Sequence, residues 1–256
     1  LDVPRLLTGT TTTYPGEANA ITPSDPTWGQ ISFTAKKRAT LVKISNELLS
    51  DNIVMLGDFV AETIGKDQAA TEDGEFILGD ATGTYGGETG LLNAIGAAGI
   101  FTAATGTDTW AEIVMADFTS TMAKLPSKYG GQLSWLCSRE FYYSVMLRLL
   151  AAAGGNNLVV LEGGAQQLTF LGFPVFLTSK MPTATAVSTV SALFGSFSEA
   201  VAIGSRQVVE VQSSRDKFFD EDCFALRGIS RYDINAYDCG DGSTAGGITG
   251  LKTAAS

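Results

Sequence analysis

No histidine occurs among the 256 residues. That absence removes Ser-His-Asp and Cys-His nucleophile arrangements, histidine metal sites and the commonest general base. Cysteine is scarce as well. Cys137, Cys223 and Cys239 are odd in number, so complete internal pairing is excluded, and no two stand at CxxC spacing. Cys137 lies in the apolar run 133–137 and reads as a small buried hydrophobe, and the set fits a reducing compartment. Cations are outnumbered, with 17 Lys+Arg against 27 Asp+Glu and a net charge of −10. Tight sequence-independent binding to nucleic acid needs clustered cations, so it is not expected. Enclosing DNA is compatible with this charge, because like-charge repulsion keeps a packaged polyanion off the wall. No run approaches the roughly 18 apolar residues of a membrane span, and residues 1–13 lack a signal-peptide layout. The expectation is a soluble product with no membrane partner.

The remaining polar clusters carry no chemistry on their own. Gly79, Gly83 and Gly86 in GDATGTYGG lack both GxGxxG spacing and a Walker lysine, and read as a turn. Asp220, Glu221 and Asp222 lack the alternation and central glycine of a calcium loop. Glu72, Asp73 and Glu75 crowd one helix end, but nothing singles out an acid-base pair for glycoside chemistry. No catalytic residue, cofactor or metal site is predicted, and an enzyme is not expected.

What is present is enough apolar sequence, 45% of the chain, to bury a substantial core. Between Thr8 and Ala35 the only charges are Glu17 and Asp25, and Pro15, Pro23 and Pro26 punctuate an extended excursion. Ile31, Phe33 and Ala35 alternate as in a strand, and the basic cluster Lys36, Lys37 and Arg38 follows. This predicts a long two-stranded hairpin that buries little in its own subunit and rests on a neighbour. A helix over 53–78 comes next, with Asp51 or Asn52 as N-cap and Val54, Phe59, Val60, Ile64 and Ile77 on its apolar stripe. At about 1.5 Å per residue it would be roughly 39 Å long, a spine for the subunit. Gly57, Gly65 and Gly74 each cost up to about 1 kcal/mol of helix propensity, so close packing or a bend must compensate.

Thr109 and Glu112 make a capping box before Trp110, Ile113, Phe118, Met122 and Leu125, predicting a second helix closed by Pro126. A strand at 133–137 then leads, through Ser138 as N-cap, into a helix reaching about Ala152 with Phe141, Val145 and Leu149 on one face. Residues 154–164 read as a mobile Gly/Asn-rich loop. Short runs at 168–177, 192–194, 201–203, 208–211 and 223–237 read as strands. In the last, Phe224, Leu226, Tyr232, Ile234 and Ala236 alternate with Arg227, Arg231, Asp233 and Asn235, giving one buried and one wet face. The tail from Gly240 reads as loosely held. Helices first and strands later give an α+β class.

In order, several segments resemble the major capsid proteins of tailed bacteriophages, the Hong Kong 97-like fold family. The stretch SDPTWGQISFTAKKRATLVKISNELLSD resembles the family's extended loop and its return, and EFILGDATG with GLLNAIG resembles its helix-end pattern. GFPVFLTSKMP, LFGSFSEAVAIGSRQVVEV and SSRDKFFDEDCFALRGISRYDINAYDC resemble its later strands, although Ser196 stands where Asp is commoner. The resemblance covers nearly the whole chain. It implies an extended loop hairpin over 1–35, a peripheral domain with the spine helix over 36–78 and 207–232, and an axial domain over 79–206 and 233–256.

It also implies that the chain's partner is itself, as hexamers and pentamers closing into an icosahedral virion capsid around double-stranded DNA, assembled in the cytoplasm of a bacterial host. A portal, decoration proteins and a scaffold or removed leader belong to the same picture, and a removed leader would account for a chain that begins at Leu1. Glu17, Trp28, Lys36, Lys37, Arg38, Arg227 and Arg231 are the candidate intersubunit contacts. Some family members crosslink a loop lysine to an asparagine with help from a glutamate. Here Thr22, Asp222 and Ile229 stand near those positions, which implies a shell without isopeptide bonds. An encapsulin-like compartment is the second reading, and an uncharacterised hydrolase a distant third.

Overall fold

In the computed structural model, residues 1–51, 56–152, 159–162 and 165–255 are described. Strand β1 (Asp2–Thr8) pairs antiparallel with β2 (Thr27–Ser32), from Asp2 opposite Ser32 to Thr8 opposite Thr27. Residues 9–26 join them without regular structure, as their three prolines and sparse apolar content dictate. The pair is the expected hairpin. It ends at Ser32, however, and Lys36 opens a separate strand, β3 (Lys36–Ser45). Helix α1 (Asn46–Asp51) and the spine helix α2 (Leu56–Leu78) follow. Asp51 is therefore the last residue of α1 and not an N-cap, while Asn52 and Val54 lie outside the described residues.

Helix α2 buries Ile64, Gln68 and Glu75 along one side, and Ile77 near its end in a separate cluster with Leu91 and Ile95. A Cβ added at Gly57 or Gly65 would meet nothing within 4 Å, so close packing inside the subunit does not explain either glycine. After the spine come a 3-10 turn at Gly83–Tyr85, α3 (Leu91–Ala94) and β4 (Ile100–Thr102). The second long helix starts later than its sequence signal. Thr109 and Glu112 do bond, with the Glu112 carboxylate accepting from the Thr109 N–H at 3.0 Å and hydroxyl at 2.8 Å, but the hydroxyl donates where a capping box needs it to accept, and the pair closes a turn. The helix itself, α4 (Met115–Ala123), begins where Asp117 accepts from the Val114 N–H at 2.9 Å.

Strand β5 (Ser134–Cys137) leads into α5 (Arg139–Phe141), capped by Ser138, which accepts from the Phe141 N–H at 3.2 Å. A π-helical turn at Tyr142–Met146 joins it to α6 (Leu147–Ala152). Within the stretch expected as a loop, residues 159–162 form β6 (Val159–Glu162), whose β-branched pair has an antiparallel partner in β7 (Ala165–Phe170). The run 168–177 is two strands, because Leu171 and Gly172 adopt positive φ and turn the chain into β8 (Phe173–Leu177).

Strand β9 (Val190–Gly195) and the short α7 (Phe197–Ala200) precede β10 (Val201–Phe218), which fuses two expected short strands into one. Then come β11 (Cys223–Ala236) and β12 (Ile248–Lys252). The last corrects the reading of a loose tail. Strand β12 lies between β4 and β9, and its Ile248, Thr249 and Leu251 are fully buried. A short sequence signal is overridden here by pairing on both edges and packing on both faces.

Two larger sheets result, ordered β10-β11-β3 and β4-β12-β9-β5-β8-β7-β6. The seven-stranded sheet packs its main core against α4 and the α5–α6 run: Trp135 and Phe170 meet Phe118 edge-on at 5.5 and 4.8 Å between centroids. The three-stranded sheet rests on α2 through a much smaller cluster of Ile44, Ile64 and Leu226. One antiparallel and one mixed sheet with helices packed on them confirm the α+β class.

Candidate assembly interface

The root of the hairpin is tied to the rest of the subunit. The Thr34 N–H donates to Asp233 at 2.7 Å, the Arg5 guanidinium donates to the Tyr237 carbonyl, and the Phe33 ring lies against the bare Cα of Gly204. Beyond the root, Tyr14 is 95% exposed, Ile21 75% and Trp28 65%. Glu17 is exposed in the same segment. Large side chains this bare, on a segment with little packing of its own, make the hairpin a candidate interaction surface.

The basic cluster at the start of β3 divides by strand parity. Lys37 faces solvent, whereas Lys36 and Arg38 point toward α2. Arg38 donates through Nε and Nη2 to Glu75, at 3.0 and 2.5 Å to Oε2, and through Nη2 to Glu88 at 2.7 Å. Its Nη1 reaches the Tyr232 carbonyl at 2.5 Å, and the guanidinium lies 3.8 Å from the centroid of the Tyr232 ring. Lys36 pairs with Glu88 at 3.2 Å. Burial works against the Arg38 charge, but the bonds from Glu75 and Glu88 outweigh it and raise the affinity for its proton. Burial raises the Glu88 pKa, and neighbouring Asp233 adds to the rise against the pull of Arg38 and Lys36. Glu72 is also raised, by burial first and then by Asp73 and Glu75.

The turn that places Glu88 follows from glycine chemistry. Gly86 and Gly87 both have positive φ, and a Cβ on them would stand 3.4 Å from Glu75 Oε1 and from Lys36 Nζ respectively. The GDATGTYGG stretch is thus the lid over an ion cluster, a role that its lack of nucleotide-binding spacing left invisible. The sequence marks Glu75 only as one of three crowded carboxylates and gives no signal at Glu88. Their sequence neighbours give no sign that β3 would bring two cations to them.

Arg227 and Arg231 lie on β11, on the sheet face turned from α2. Arg227 is exposed and donates to the Gln212 side-chain carbonyl across the β10 pair. Arg231 is half-buried and sits directly opposite Lys37, and its Nε has no partner among the described residues. Asp233, expected on the wet face, is 7% exposed, because the hairpin root folds over it and uses it as an acceptor. Further along the free edge and at the tip, Val208 is 81% and Phe219 84% exposed. Among the described residues no group of three or more His, Cys, Asp or Glu is placed to hold a metal, and no helix is long and apolar enough to cross a membrane.

No curated protein matches the chain. Among solved structures, the capsid of a native GTA particle computed with C5 symmetry superposes with a TM-score of 0.74 at 19% identity, covering 100% of this chain and 85% of that one. A structure of Mycobacterium phage Adephagia gives 0.70 at 21% identity, with 100% and 85% coverage. The holo-SrpI encapsulin of Synechococcus elongatus PCC 7942 gives 0.63 at 12% identity, with 97% and 81% coverage. These likenesses describe the fold, which is the Hong Kong 97-like shell fold. A family model described as the phage capsid family matches residues 1–239, and the chain therefore belongs to the phage capsid family.

Proposed function

We propose that this chain is the major capsid protein of a tailed phage, a structural subunit whose activity is assembly into an icosahedral shell of hexamers and pentamers around double-stranded DNA. The observation that carries the reading is a family match over residues 1–239 in a subunit whose hairpin leaves Tyr14, Ile21 and Trp28 bare. The hairpin of each copy laps onto its neighbour. Lys37 and Arg231, like charges directly opposite each other, repel unless an anion bridges them, and Glu17 of an adjacent copy is the group assigned to do so. Trp28 and Arg227 complete the contact set. Lys36 and Arg38 are assigned to the interior of the subunit, since their partners are Glu75 and Glu88.

The peripheral domain comprises 36–78 and 207–232, and the axial domain 79–206 and 233–256. Separate cores for the two larger sheets support the division, although β10 and β11 each run across it. The shell forms without isopeptide bonds. No lysine occurs before Lys36, so the hairpin lacks the amine that such a bond requires. A portal at one vertex and decoration proteins are the further partners of this reading. Negative-stain microscopy of the purified chain tests the proposal: closed angular particles are expected, and a uniform monomer across salt and concentration would overturn it. The likeness to an encapsulin favours a second reading, a compartment that holds cargo protein. Protein cargo in place of DNA inside particles isolated from the native source would select it.

A further inference from the structure

The ion cluster at the hairpin root holds more carboxylates than cations. Lys36 and Arg38 come from β3, Glu75 from α2, Glu88 from the glycine turn and Asp233 from β11. Glu72 on α2 adds a further negative charge at the rim, and the Tyr232 ring closes the side facing β11. Glu75, Glu88 and Asp233 are 3%, 2% and 7% exposed, too little for water to screen the excess. Arg38 occupies both oxygens of Glu75. On Glu88 both cations reach Oε1, Arg38 at 2.7 Å and Lys36 at 3.2 Å. Asp233 already accepts the Thr34 N–H through Oδ2 and stands beside Glu88.

We propose that Glu88 takes up a proton while the subunit stays folded and shares it with Asp233, forming a proton-dependent latch between the turn after the spine helix and the hairpin root. With the proton in place, Asp233 is held against Glu88 and keeps its bond to Thr34. Without it, two carboxylates repel across the joint where the hairpin leaves the subunit. The latch concerns the subunit itself and holds whether or not a phage shell is what the subunits build.

The direction of the pH effect follows from the raised affinity of folded Glu88 for its proton. The folded chain binds that proton more tightly than the unfolded one, so stability grows as pH falls through the folded value of Glu88 and levels off below its ordinary 4.5. The test uses the full chain. Difference infrared spectroscopy from mildly alkaline to mildly acidic pH should show a carboxylic acid band that appears above the ordinary glutamate range and is lost in E88Q. Hydrogen exchange at Thr34 should slow as that band grows, beyond the intrinsic effect of pH. Asp233→Asn keeps an acceptor for Thr34 and removes the repulsion, so its unfolding midpoint should lose most of the acid-side gain. A native chain without the band, a band that persists in E88Q, or Thr34 exchange that ignores it would overturn the latch. Should neither variant fold, the infrared band and the Thr34 exchange of the native chain decide alone.

Discussion

The Glu75 carboxylate on α2 takes two donors from Arg38 on β3, joining the far end of the spine helix to the first residues of a strand that lies 37 positions earlier in the chain. The Arg38 side chain is 10% exposed and that of Glu75 4%, so the pair is desolvated and neither charge has water to fall back on. Replacing Arg38 with Ala leaves Glu75 and Glu88 buried without their main counter-ion and should cost about 3–5 kcal/mol. Arg38→Lys should recover only part of this, because an ammonium cannot reproduce the fork. Denaturant unfolding of dissociated subunits measures both, and an Ala variant within error of the native chain would disprove the account.

Trp28 presents the opposite case. It is 65% exposed in the subunit, so Trp28→Ala should change subunit stability by no more than about 0.5 kcal/mol. Assembly should suffer instead, with a lower yield of closed particles at equal protein concentration. Sedimentation separates the two quantities, and normal particle yield would remove Trp28 from the contact set.

Gly65 is a helical glycine with open space where a Cβ would stand. Gly65→Ala should therefore stabilise the dissociated subunit by up to about 1 kcal/mol through helix propensity alone. A stabilised subunit that assembles poorly would locate a neighbour's close approach at this position. Gly79 behaves differently, since its Cβ would stand 2.6 Å from the Glu75 carbonyl oxygen and 2.7 Å from that of Glu88. Gly79→Ala should destabilise by about 1–3 kcal/mol, read by the same unfolding curve.

Cys137 and Cys239 have thiols pushed up to about 12, by burial in both and additionally by the nearby Asp238 charge at Cys239. The thiolate is the reactive form, so folded protein should resist alkylation at mildly alkaline pH, and both cysteines should label on unfolding. Mass spectrometry after brief alkylation reads this site by site. Rapid labelling of Cys137 in the folded chain would contradict the burial.

Ending the chain after Gly247 removes β12 from between β4 and β9, together with the fully buried Ile248 and Leu251. Two large apolar side chains and two ladders of backbone bonds are lost at once, at about 2–5 kcal/mol per deleted side chain. Insoluble product is the expected outcome. A soluble, assembling truncation would show that the tail is as loosely held as its composition suggests.

Several features were legible in the sequence because they rest on local rules. Proline and a lack of apolar residues keep 9–26 out of regular structure, the three-and-four spacing of Val60, Thr63 and Ile64 helps to make the spine helix, and Ser138 caps its helix as its type predicts. The absence of histidine and the order of the family motifs were enough to point to a shell subunit. The tail reads as loose because ITGLK is a short run with a central glycine set among Gly, Ser and Ala, and only its two neighbours make β12 a strand. The Thr109 and Glu112 signal sets the start of α4 too early because a Thr-to-Glu hydrogen bond closes a turn as readily as it opens a helix.

By itself, then, the sequence determined the α+β class, the hairpin, the spine and the membership of a shell-forming family, each through short-range periodicity or ordered motifs. Tertiary structure alone decided which members of the Lys36–Arg38 run face inward, where Glu75 and Glu88 meet them, and that Asp233 is buried. Those outcomes depend on strand register and on a glycine turn folding over distant residues. Electrostatic partnership is set by proximity in space, which residue type and spacing do not encode.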